Sequence, residues 1–243
     1  MRRCLLLILI LVASSSGADA SCIEASSLVH STISITREFS TEEKKTVPHI
    51  LGIRGTGWFL SPRLVVTAAH VVDAMHLSVQ DWKEVELRER DKRASIAARI
   101  AHIVGSHSER MALLELMTPF PSAAALPVRT EPLIPEERVL SLAYPNSDLR
   151  FAQGRFVEYG ADERFSGAAL LELHDGNDRL VLDHGASGAP VLDCKGRVVA
   201  VVTTLITQTL RFPSGTVRVS TAWQTPNVVS MPADALIKFL PSE

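Results

Sequence analysis

Neither sign of charge is in excess in this sequence: 25 Lys+Arg stand against 27 Asp+Glu in 243 residues. That excludes the basic face of a dedicated nucleic-acid or membrane-surface binder. No run of like charges is long enough for a disordered tail, and "RERDKR" (Arg88 to Arg93) mixes signs and reads as a solvated loop. There is no internal repeat and no low-complexity tract. The histidines His76, His102 and His107 lack metal-ligand spacing with Cys or Asp partners, so they are expected to be solvated or packing residues. Cysteine is scarce, at three residues. Long apolar runs are missing too: "LLLILILV" (Leu5 to Val12) stops well short of the roughly 20 residues that a spanning helix needs.

That short run has another use. Arg2 and Arg3 precede it, and small and polar residues ending in Ala18, Asp19 and Ala20 follow. Charged, apolar, then small is the order of a secretory signal, here residues 1–20 with cleavage after Ala20. Lipid attachment at Cys22 is disfavoured by Asp19. The expectation is a secreted or periplasmic protein with no stable membrane insertion once the signal is removed. Cys4 leaves with the signal. Cys22 and Cys194 then either pair in an oxidising compartment or stay as two separate thiols, and sequence lacks the geometry to choose.

What is present is β-rich. "STISITREF" (Ser31 to Phe39) alternates with period two, placing Ile33 and Ile35 on one face. "GWFLS", "RLVVT", "EVELRE" and "RIAHIV" are further short runs between Gly, Pro and charged breaks. "FPSAAALPVRTEPLIPEE" (Phe120 to Glu137) holds four prolines without periodicity and reads as a connector. Short β-rich runs resume with "RVLSLAY" and continue through "GRFVEYG", "AALLELH" and "RVVAVVTTLI" to "TVRVSTAW". "PADALIKFL" (Pro232 to Leu240) has helix signals, with proline at both ends. The fold class is all-β: two packed β-barrels with a short C-terminal helix. Expected boundaries are 28–122 for the first barrel, 123–137 for the linker and 138–243 for the second barrel and helix.

Two motifs carry chemistry. "GTGWFLSPRLVVTAAHVV" (Gly55 to Val72) reads as strand, Ser-Pro turn, strand and the start of a helical turn, with Ala68 and Ala69 presenting His70 at a cleft edge. "DHGASGAPVLD" (Asp183 to Asp193) folds Gly185, Ser187 and Gly188 into a tight turn. There the serine projects, and the Gly185 and Ser187 amides can aim at a developing oxyanion. Each has a bland reading: a histidine after a strand is usually structural, and G-x-S-G occurs by chance.

Together, in the order His before Ser, they resemble the chymotrypsin-like (trypsin-fold) serine peptidases, especially compact bacterial members. "TAAHVV" matches that family's histidine motif, and "GASGAP" its G-x-S-G-x-P motif, with Ala189 replacing the commoner second glycine. The resemblance implies two antiparallel Greek-key barrels and an acyl-enzyme mechanism with Ser187 as nucleophile and His70 as base. It implies no metal and no organic cofactor. The family's third catalytic residue sits in an Asp-x-Ala-Leu-Leu segment; "RMALLEL" places Arg110 there. Glu109 and Asp73 are substitute carboxylates: the first needs a bulge to re-aim it, and the second lies one helical turn beyond His70.

The resemblance also implies a first specificity pocket walled by Val181 to His184 and by Val202, Thr203 and Thr204. Val181, six before the serine, is no acid, which argues against a preference for Arg or Lys and leaves a small or apolar side chain. Ala186 replaces the aspartate that animal enzymes pair with a freshly cut N-terminus, so activation by N-terminal insertion is not expected. Two functions follow: a monomeric, exported serine endopeptidase acting on peptides or proteins, or a catalytically inactive relative whose cleft binds peptides or proteins.

Overall fold

The structure is a computed structural model, and it describes residues 22–46, 49–105, 110–161, 163, 165–177, 182, 184–206, 208–212, 215–219 and 225–240. Two closed antiparallel barrels of six strands each dominate it. The first comprises β1 (Thr32–Glu38), β2 (Gly52–Ser61), β3 (Leu64–Ala68), β4 (Lys83–Glu89), β5 (Lys92–Val104) and β6 (Met111–Leu116). It closes in the order β1-β2-β3-β6-β5-β4. The second comprises β7 (Arg138–Ala143), β8 (Arg150–Tyr159), β9 (Ala169–His174), β10 (Pro190–Asp193), β11 (Val198–Leu205) and, after a separate hairpin of β12 (Gln208–Phe212) and β13 (Gly215–Val219), β14 (Val228–Pro232). Its order is β10-β11-β14-β9-β8-β7. Among the described residues, helix is confined to α1 (Glu43–Thr46), α2 (Ala69–Ala74) and three 3-10 segments.

Period-two patterning explains how each strand serves two cores. Within β2, Phe59 points into the first barrel while Trp58 and Leu60 point out toward the second. In β6, Ala112, Leu114 and Leu116 fill the first barrel while Met111 and Leu113 face outward. That outer face packs on Leu140, Leu142, Leu192 and Val201 of the second barrel. The unbroken apolar run of β6 thus reflects a strand buried on both sides, which removes the polar half of the alternation.

The expected terminal helix is present over Ala233–Phe239, as a 3-10 segment. Residues three apart eclipse in a 3-10 helix. Ala233, Leu236 and Phe239 therefore share one face, and all three pack on the inter-barrel core. "RERDKR" is no solvated loop but the ends of β4 and β5 around a tight turn with Arg90 at φ 48°. Glu89 within it is 1 % exposed and bonds to Ser122 and His30. Cys22 and Cys194 form a disulfide, and the Ile23 amide donates to the Cys194 carbonyl at 3.0 Å. No described helix is long and apolar enough to cross a membrane.

Candidate active site

The chain leaves β3 at Ala68 and enters α2 at once, making His70 the second residue of that helix. Ala68 and Ala69 are buried, and Ala69 donates its amide to the Arg110 carbonyl at 2.9 Å. Val71 and Val72 plug the first-barrel core, which leaves His70 exposed on the other side of the turn. Gly55 is needed beneath it, because a Cβ there would lie 2.6 Å from the Val71 side chain. The strand–turn–strand–helix order read from "GTGWFLSPRLVVTAAHVV" is the observed one.

Ser187 lies in the turn before β10, half-buried, with its hydroxyl donating a long 3.4 Å bond to the Thr203 carbonyl. Gly185 and Gly188 sit at φ +99° and +94°, backbone that favours glycine. At Gly188 there is no room for a side chain either, since a Cβ would stand 2.1 Å from the Thr56 carbonyl oxygen. Among the described residues, neither the Gly185 nor the Ser187 amide donates to a backbone carbonyl. His70, His184, Gly185 and Ser187 line one cleft of about 320 Å³, together with Arg54 and Asn146. Larger hollows lie elsewhere, one of about 540 Å³ beside Arg129 and Tyr159 and one of about 900 Å³ beside Cys22 and His174. Among the described residues, the smaller cleft brings together the His70 ring, the Ser187 hydroxyl and the Gly185 and Ser187 amides.

Arg110 stands immediately before β6, and its Nη2 lies 3.6 Å from Asp73 Oδ2. Both side chains are about half exposed, so the pair sits on the solvent side of α2. Asp73 is therefore engaged with Arg110. Glu109 and Val181 lie outside the described residues. Val202 packs in the second-barrel core, and its carbonyl accepts the Gly188 amide at 2.7 Å. Thr203 is buried and donates its hydroxyl to the Val229 carbonyl, while Thr204 is half-buried and His184 exposed. His76 stacks on Phe39 and the His102 ring lies tilted against Phe239; His107 lies outside the described residues.

Sequence reasoning missed Thr56. It donates its amide to the Ser187 carbonyl at 2.9 Å and its hydroxyl to the Gly185 carbonyl at 2.6 Å. The local pattern marks only a Gly-rich stretch ahead of a strand; the partners come from the other barrel.

Residues 55–201 match the trypsin-like peptidase domain family. No curated protein matches the sequence. Solved structures of the M. tuberculosis protease Rv3671c are similar in fold. A serine-to-alanine mutant in the inactive form shares 19 % identity, over 88 % of this chain and 86 % of that one, with TM-score 0.56. Its inactive form shares 18 % over 90 % and 92 %, with TM-score 0.57. Its active form shares 19 % over 88 % and 81 %, again with TM-score 0.57.

Proposed function

Because the chain belongs to the trypsin-like peptidase domain family, we propose that it is a serine endopeptidase working through Ser187 and His70. The observation that carries this reading is the single cleft shared by His70, Ser187 and Gly185. Ser187 Oγ attacks the peptide carbonyl carbon, and His70 takes the hydroxyl proton. The Gly185 and Ser187 amides bind the oxyanion. His70 then returns the proton to the leaving amine, and water repeats the sequence on the acyl-enzyme.

In this reading Arg110 occupies the third triad position. Loss of a triad carboxylate costs roughly 10⁴ in turnover. A bare cation there would cost more, because positive charge disfavours the imidazolium. Asp73 offsets that second cost by pairing with Arg110, and the enzyme works as a slow Ser–His pair unless Glu109 supplies a carboxylate. We read residues 1–20 as an export signal, consistent with the Cys22–Cys194 disulfide, and the protein as a monomer. Val181, His184, Val202, Thr203 and Thr204 would wall a pocket for a small or apolar side chain.

The Arg110–Asp73 pair also favours a second reading, in which the cleft binds peptides without cutting them. Labelling with a fluorophosphonate separates the two. Modification confined to Ser187, and absent from the Ser187→Ala variant, is the expected result. Failure to label where an active relative reacts would establish the binding protein instead.

A further inference from the structure

We infer that Thr56 is a positioning residue for the nucleophile turn. Its catalytic consequence rests on the peptidase reading above, while its geometry does not.

Four successive peptide planes, from His184 to Gly188, decide where the oxyanion-binding amides point. A trans peptide is planar, so each N–H points opposite to the carbonyl of the residue before it. The Gly185 amide is aimed by the His184 carbonyl, which accepts the Asn146 N–H at 3.2 Å. The Ser187 amide is aimed by the Ala186 carbonyl, which accepts the Ala189 N–H at 3.0 Å. The two remaining carbonyls, of Gly185 and Ser187, are both held by Thr56, through its hydroxyl at 2.6 Å and its amide at 2.9 Å. One residue of the first barrel therefore fixes alternate planes of the turn.

Gly185 is where this matters most. At φ +99° it has no Cβ to bar other rotations, so hydrogen bonds, not sterics, hold the peptide that links the two amides. Thr56 is itself held on every side. It is fully buried, its hydroxyl oxygen accepts the Tyr144 amide at 2.9 Å, and its carbonyl accepts the Thr67 hydroxyl at 2.6 Å. A hydroxyl has one proton to give. With Tyr144 donating to the oxygen, that proton is left for Gly185. Serine could replace this arrangement; valine, of the same shape, could not.

The test compares Thr56→Ser with Thr56→Val in the full mature chain, with Thr56→Ala standing in should the valine variant fail to fold. Fluorophosphonate labelling rates report on the site, and hydrogen exchange of the Gly185 to Gly188 amides reports on the turn. The valine variant is expected to label about 10²-fold more slowly, as a misplaced oxyanion site would, and to exchange faster at the turn. The serine variant is expected to stay near wild type in both. A valine variant with wild-type labelling and exchange overturns the inference, and so does a serine variant as impaired as the valine one. An unlabelled wild type would end the peptidase reading, and the exchange rates alone would then decide the role of Thr56.

Discussion

A cation at Arg110 and an anion at Asp73, 3.6 Å apart and half exposed, give the proposed site its unusual chemistry. Pairs this exposed contribute little to stability, about 0–1 kcal/mol, so in the peptidase reading the pair acts through the field at His70. Arg110→Asp is expected to raise the Ser187 labelling rate at least about tenfold, a fraction of the roughly 10⁴ that a well-placed carboxylate supplies. A rate unchanged in this variant would mean that the side chain at position 110 does not govern His70. The placing of His70 and Ser187 on turns that face a cleft was legible in the sequence because each turn depends on contiguous residues. Thr56 was not, because its role lies in contacts 129 residues apart.

Among the elements, α1 shows most plainly how a short segment is held by charge. Four residues cannot sustain a helix alone. Glu43 anchors it, accepting the Ser40 amide at 2.9 Å and two bonds from the buried Arg37 guanidinium, whose other nitrogen donates to the Met75 carbonyl. The Ser40 amide and then Arg37 hold the Glu43 carboxyl down to about 2, against an ordinary 4.5. A depressed carboxylate stabilises the fold above its unfolded pKa and loses that contribution as pH falls through the folded one. Glu43→Gln is thus expected to lower the thermal midpoint at pH 6, and the gap from wild type should close between pH 4.5 and 2; a gap constant with pH would refute the assignment. The sequence pattern located most strands of both barrels, but neither β14 nor this anchor, whose residues Arg37, Ser40 and Met75 meet only when β1, α1 and α2 pack. It also marked the last helix without its type, since the spacing of Ala233, Leu236 and Phe239 acquires meaning only against the inter-barrel core.

For the molecule as a whole, the barrels are joined by a shared apolar layer and by the Cys22–Cys194 disulfide, which ties the segment before β1 to the end of β10. The disulfide spans 172 residues, so it removes much freedom from the unfolded chain. Reduction, or Cys22→Ser, is expected to cost about 2–4 kcal/mol, read as a lower midpoint in denaturant. Identical midpoints with and without reductant would show that the disulfide contributes nothing. The fold class was legible because both barrels repeat one simple alternation. Gly188, with the backbone of Thr56 where a side chain would be, carries one more consequence. The nucleophile turn acquires its shape only against β2, a strand made more than a hundred residues earlier. Long-range contacts of this kind close late. The turn that carries Ser187 therefore takes its shape only once both barrels are in place.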